Sequence, residues 1–453
     1  MVEMVEGLTS PMPRPRLGVL LAAGRSERLA GVTGGGSKAL IRVGGLTLVE
    51  RAARTLLAAG VERVAVVVGY QAGPVAAVVD KLAPGRVRAA YAEHWEQGNG
   101  ASLAAAEPLI GDEALFALST ADHVFGDGAF ESLVTAGIPA VLVDRAPDPE
   151  AWAEGTRVRL HDERAVAFSK SLGDPSIDCG AFLLPSEVFD AHRRAAARGD
   201  STLAGAVTEL AKEQPLAAIL LPPGGWWQDV DTAEDLRRAR SRLRRSLAKE
   251  GDGPVSRYLN RPVSTRLSMA LSPLRPHPDL VTVLVCLVGF LAAWLLGAGH
   301  ALIGGVLVQV ASVLDGVDGE VARLQLRAGP GGALLDGVLD RLVDAAIVAG
   351  LAVWAIDQGV GPELSVGLAV AATAGSMLSM ATKDRIVALR LPSPPEHGLG
   401  YLLGGRDGRL LLIAVFAIAS RPALALAAVA ATSAISLLLR VVLTRFWVAR
   451  MER

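Results

Sequence analysis

Asp315, Asp318, Asp336 and Asp340 stand in a stretch apolar enough to enter a bilayer, where carboxylates are costly and mark an ion or substrate site by default. Asp315 and Asp318 are three residues apart and Asp336 and Asp340 four apart, so on helices each pair shares a face. Two antiparallel helices would converge all four carboxylates on one divalent cation, without which they repel one another. Gly319, Ala322 and Gly332 are small enough to let helix backbones and a nucleotide approach closely. Nearer the N-terminus, a buried-strand run from Leu17 breaks at Ala23 and Gly24 into a turn whose backbone N–H groups could wrap a phosphate. Arg25, Arg28 and Lys38 would add positive charge there.

The later pattern, D-x-x-D-G-x-x-A-R followed by G-x-x-x-D-x-x-x-D, resembles the signature of the CDP-alcohol phosphatidyltransferase family without a gap. The resemblance implies a transferase that moves a phosphoalcohol from a CDP-activated donor to an acceptor hydroxyl and releases CMP. It assigns the metal to Asp315, Asp318 and Asp336, makes Asp340 the proton acceptor and a possible fourth ligand, and places Gly319, Ala322 and Arg323 against the nucleotide. Arg323, a permanent cation, suits a donor phosphate better than an acid role. Asp344, a turn beyond Asp340, is expected to be a structural or gating partner. The family likeness also implies a homodimer through the membrane body. Oxygen ligands suit Mg2+ and also Mn2+.

The earlier motif, with Gly36, Ser37, Lys38, Ala39 and Leu40 after it, resembles the L-A-A-G-x-[GS]-x-R-[LM] and P-K-x-L elements of nucleotidyltransferases that activate sugar phosphates. Ser37 replaces the usual proline but the lysine is kept. Strands near Val64–Val68 and Leu115–Thr120, alternating with Ala-rich helices, predict a doubly wound α/β Rossmann-like sheet with its ligands beyond the strand carboxyl ends. Asp122 falls in that crevice. The resemblance makes it a metal ligand together with Asp229 of the W-x-D-V-D-T-like segment, Asp231 being the other choice, and casts Lys38 and Arg28 as the catalytic cations. Gly98, Asn99, Gly100 and Ser102 resemble the segment lining base and ribose; a helix start capped by Asn99 is the plain alternative. Lys170 and the Asp178–Gly180 segment fall where such enzymes hold the sugar phosphate.

The elements that must position these groups divide the chain in two. Of 453 residues 51% are hydrophobic, but residues 1–245 have soluble composition and the apolar runs gather in 279–445. The expected organisation is a flexible N-terminus (1–16), a cytidylyltransferase-like α/β domain (17–245), a basic linker and interfacial helix (246–278), and an all-α polytopic membrane domain (279–453). Apolar runs at 279–299, 301–323, 333–356, 361–382, 408–420 and 422–444 predict about six spans, the fifth short for a crossing helix. Arg327, Lys383, Arg385, Arg390, Arg406, Arg409, Arg445 and Arg450 fall in even loops and the tail, which places the head and both termini in the cytoplasm beneath the inner membrane. Arg406 and Arg409 are either acceptor-phosphate ligands or positive-inside anchors. With 45 basic and 46 acidic residues the chain has no charge for nucleic-acid binding, and two cysteines make neither a disulfide framework nor a zinc site.

The fusion itself suggests that the head makes a CDP-alcohol that the body consumes. It resembles a bifunctional family in which CTP and inositol 1-phosphate give CDP-inositol, which condenses with a second inositol 1-phosphate to di-myo-inositol phosphate phosphate. Another CDP-polyol or a lipid acceptor would use the same aspartates. A nucleotide-regulated transporter is the remote alternative, disfavoured because no inverted repeat or broken-helix pair is evident.

Overall fold

The structure, a computed structural model, describes residues 14–25, 27–249, 251–391 and 404–451. Most of the expected N-terminal tail, Ser26 of the glycine-rich turn and the 392–403 loop lie outside them. The chain divides into two compact units between Leu243 and Arg244.

In the first unit, runs such as Leu17–Ala22 and Arg63–Val68 are buried almost throughout, as strands covered on both faces must be. They join a nine-stranded sheet in the order Val87–Tyr91, Arg63–Val68, Leu17–Ala22, Leu115–Thr120, Ile177–Pro185, Ala140–Asp144, Leu216–Leu220, Arg164–Ser169, Arg157–His161. The first four are mutually parallel, and Ile177–Pro185 runs antiparallel beside them, so the sheet is mixed. Two apolar clusters pack its faces, one around Leu56, Val66 and Leu133, the other around Leu103, Phe116 and Leu210. The helix Leu48–Ala58 starts where Thr47 Oγ1 accepts the Glu50 N–H (3.2 Å), satisfying an otherwise orphaned donor. Outside the main sheet, His123–Phe125 pairs antiparallel with Trp227–Asp229, and the register sets Asp229 opposite His123. That ribbon brings residues a hundred positions apart to the end of Leu115–Thr120.

The second unit is helical. Among the described residues four helices are long and apolar enough to cross a membrane: Pro278–Gly297, Ala301–Leu324, Pro362–Ala388 and Pro422–Met451. The expectation of about six spans is therefore not met on length and composition. Pro330–Asp357 has the length but carries Asp336, Asp340, Arg341 and Asp344. Arg406–Ile418, at 13 residues, reaches only about 20 Å. Close helix packing comes from Gly289, where a Cβ would strike Val343, and from Gly350, where it would strike the Ala293 carbonyl. Gly332 and Gly319, by contrast, border open space, with nothing nearer a Cβ than 3.9 and 3.4 Å respectively. The run from Ala301 breaks at Asp315 and Gly316, separating Ala301–Leu314 from the short helix Val317–Leu324.

Candidate active sites

The glycine-rich turn follows Leu17–Ala22 and, with Lys38, Trp95, Gly98, Asn99, Ser102 and Asp122, lines a cleft of about 280 Å3. Ala23, Gly24 and Arg25 form one wall, and Arg25 lies over the Tyr70 ring at 5.6 Å. Gly100 does not face the cleft; a Cβ there would collide with the Ser201 carbonyl, so this glycine serves packing. Asn99 begins its own helix, and its Oδ1 accepts the Leu203 N–H (3.0 Å), capping a different one. A neighbouring cavity of about 150 Å3 is lined by Lys170, Asp178, Gly180, His123 and Asp229, with Asn99 and Thr120 shared with the first.

Between the two cavities stand the charged groups. Lys38 Nζ lies 2.5 Å from Asp122 Oδ2 and 2.6 Å from Asp231 Oδ1. Arg28 bridges Asp231 and Glu154. Asp231 therefore holds both cations, while Asp122, His123 and Asp229 offer ligand atoms all within 4.8 Å of one another. Burial alone would lower the Lys38 pKa, but Asp122, Asp231 and Asp229 together hold it well above the ordinary lysine value. Burial likewise opposes ionisation of Asp122, yet Lys38 and His123 bring its carboxyl well below the usual range. Asp229 goes the other way: burial, then the Asp122 and Asp231 charges, outweigh His123 and raise it to about 7. His123 is raised to about 9 because Asp229 and Asp122 overcome its burial. It donates from Nδ1 to Asp122 Oδ1 (2.8 Å) and stacks on Trp227 at 5.4 Å.

In the second unit Asp315, Asp336 and Asp340 come within 4.8 Å of one another. They line a small cavity of about 20 Å3 with Asp318, Thr282, Cys286 and Arg406. Asp318 stands slightly apart, accepting from Thr282 Oγ1 (2.6 Å) and the Gly319 N–H (2.5 Å). Arg406 sits among the acids, paired with Asp315, with Asp340 (3.2 Å) and with Asp344 (3.0 Å). Arg409 is brought to a different small cavity, of about 20 Å3, beside Arg341, Asp344 and Met380. Gly319, Ala322 and Arg323 lie on Val317–Leu324 outside the aspartate cavity's lining, Arg323 donating to the Leu247 carbonyl (3.0 Å).

Both clusters fit a hard divalent cation. Their donors are mainly carboxylate oxygens, and Asp229 Oδ1 is buried with no hydrogen-bond partner among the described residues. Sequence reasoning missed His123, for which adjacency to Asp122 was the only signal, and the clamp role of Asp231. It also missed Thr282, the donor to Asp318, which single-chain spacing does not link to the aspartates.

Fold and sites together define a nucleotidyl-transferring α/β head joined to a CDP-alcohol-handling helical body. Residues 18–162 match the MobA-like NTP transferase domain family and residues 275–392 match the CDP-alcohol phosphatidyltransferase family. The chain is similar to the "Bifunctional IPC transferase and DIPP synthase" of Rubrobacter xylanophilus, 36% identical over 420 residues that cover 91% of this chain and 92% of the relative. The protein of the same description from Thermococcus kodakarensis is 32% identical over 442 residues, 96% of this chain and 98% of that one. The inositol-1-phosphate CTP transferase structure from T. maritima covers 51% of this chain and 97% of its own, with 23% identity and a TM-score of 0.46. The chain belongs to the family of bifunctional IPC transferases and DIPP synthases.

Proposed function

We propose that the head joins CTP to inositol 1-phosphate with loss of pyrophosphate, and that the body transfers phosphoinositol from CDP-inositol to a second inositol 1-phosphate with loss of CMP. The observation that carries this reading is the presence of two separate carboxylate clusters, one per unit, each flanked by buried cations.

In the head, an oxygen of the alcohol phosphate attacks the α-phosphorus of CTP and the bond to the β-phosphate oxygen breaks. The Ala23–Arg25 turn presents backbone N–H groups to the triphosphate, and Asn99 and Ser102 border the base and ribose. Lys170, in the adjoining cavity, is placed for the alcohol phosphate. Lys38 and Arg28, held on Asp231, oppose charge as it builds on the phosphates. Mg2+ or Mn2+ held by Asp122 and Asp229 would supply further neutralisation of the triphosphate.

In the body, the acceptor hydroxyl attacks the inositol-bearing phosphorus of CDP-inositol, and the bond to the CMP oxygen breaks. Asp340 takes the hydroxyl proton at its carboxylate. A divalent ion at Asp315, Asp318 and Asp336 would supply the charge that grips the donor pyrophosphate. Arg406 and Arg409 are assigned to the acceptor phosphate, whose dianion suits guanidinium groups. Arg323 and the small residues Gly319 and Ala322 are assigned to the CDP side. On the six-run reading of the sequence the excess of basic residues in even loops supports a cytoplasmic head and termini at the inner membrane, and family likeness supports a homodimer through the body.

Asp340→Asn tests the division of labour. Pyrophosphate release from CTP and inositol 1-phosphate should stay within about twofold of the parent while CMP release falls at least about a hundredfold. Parallel loss of both products would argue against two sites.

A further inference from the structure

The segment before the first apolar helix carries polar side chains that are buried and fully used. A π-helical turn, Ser256–Asn260, leads into the helix Arg261–Leu271; such turns are rare and concentrate at functional sites. Asn260 is only 3% exposed. Its Nδ2 donates to the Ser312 carbonyl (3.3 Å), Ser312 Oγ (3.0 Å) and Asp407 Oδ1 (2.9 Å), and its Oδ1 accepts from Gln309 Nε2 (3.1 Å). Arg261 donates from Nη1 to Glu320 Oε1 (2.7 Å) and from Nε and Nη2 to Asp252 (2.7 and 3.1 Å). Glu320 is wholly buried and also accepts from Ser264 Oγ and Ser268 Oγ, each at 2.7 Å.

These contacts straddle the helix break at Asp315 and Gly316. Ser312 lies three residues before Asp315, Glu320 two after Asp318, and Asp407 next to Arg406. The eight-residue helix Val317–Leu324 is too short to hold its own direction, and a glycine at the break gives the backbone freedom. An orientation fixed from outside is therefore required if Asp315 and Asp318 are to face the same cavity. A buried ion pair such as Arg261–Glu320 is poor evidence of stability, since apolar residues of like volume often do as well; what it supplies is direction.

We propose that Asn260 and Arg261 are positioning residues for the phosphotransfer site, Asn260 setting Ser312 and Asp407 and Arg261 setting Glu320, so that the juxtamembrane helix holds both sides of the break in register. This rests on the phosphotransfer reading of the body. The test is the full chain in detergent carrying Arg261→Met with Glu320→Met, a pair that removes both charges of the buried bridge and leaves Asp252 with the Lys249 N–H it already accepts (2.9 Å). The variant should keep the parent's thermal midpoint and pyrophosphate release. It should lose about tenfold or more in kcat for CMP release from CDP-inositol, with KM moved by less than about threefold, because misplacement of reacting groups costs rate before binding. Parental kcat in the doubly substituted chain would overturn the proposal. Asn260→Ser, which withdraws the amide and leaves the ion pair, should show the same split and guards against misfolding of the first variant. Amide hydrogen exchange across residues 312–323 needs no turnover: a rise of about fivefold or more is expected in both variants, and parental exchange would overturn the proposal. A parent that releases no CMP but shows this exchange contrast would refute the phosphotransfer reading alone.

Discussion

Asp231 and Asp229 are two residues apart yet face different tasks. Asp231 grips Lys38 and Arg28, whereas Asp229 has a buried oxygen with no hydrogen-bond partner among the described residues and offers a ligand atom within 4.8 Å of Asp122 and His123. Asp229→Asn should cost about a hundredfold or more in pyrophosphate release and abolish its response to Mn2+ added in place of Mg2+. Asp231→Asn should cost less, about tenfold, with most of the loss in KM for CTP, because it loosens two cations without removing them. Steady-state kinetics of the two variants separates the roles. Asp178 gives a pH signature. Burial raises its carboxyl to about 6, against the pull of the Gly180 N–H, His123 and Lys170. The folded chain thus keeps a proton that the unfolded chain loses, and stability falls as pH climbs from about 4 to 6. Asp178→Asn removes that fall. Its thermal midpoint relative to the parent should be higher at pH 8 than at pH 4, by an amount worth about 1 to 3 kcal/mol once partial solvent access is allowed for. Equal differences at both pH values would contradict the assignment.

At the scale of elements, motif spacing within one segment was legible and meetings between segments were not. Asp315, Asp336 and Asp340 converge as helical periodicity suggests, and Asp122 stands just beyond a strand end. Asn260 and Asp407 meet across 147 residues, and His123 faces Asp229 only because two three-residue strands pair. No periodicity in one chain reports either contact. Arg406 and Arg409 looked equivalent in a charged turn, but they line different cavities while both pair with Asp344. The count of about six spans is not confirmed, because a run of apolar residues reports neither helix length nor the charges within it. Gly316 offers a test at this scale. A Cβ there would press on the Arg261 guanidinium, so Gly316→Ala should slow CMP release about tenfold while pyrophosphate release is unchanged. Gly350→Leu should instead lower the thermal midpoint of the body, because its side chain would drive the Pro278–Gly297 helix away at the Ala293 carbonyl.

For the whole molecule, the coupling of two chemistries in one chain is the central claim. The head's two adjoining cavities and the body's carboxylate cavity belong to separate units, and on the proposed chemistry the CDP-alcohol released by the one is the donor for the other. The composition boundary near residue 245 was visible in the sequence because a soluble sheet domain and an apolar helical body need different residues; the break between units at Leu243 and Arg244 falls close to it. The most direct measurement follows purified full-length protein in detergent with Mg2+, CTP and inositol 1-phosphate by phosphorus NMR over time. The account predicts pyrophosphate and CDP-inositol first, then CMP together with a new phosphodiester carrying a phosphomonoester. Pyrophosphate and CDP-inositol that accumulate with no CMP, in a preparation whose body is folded, would contradict it.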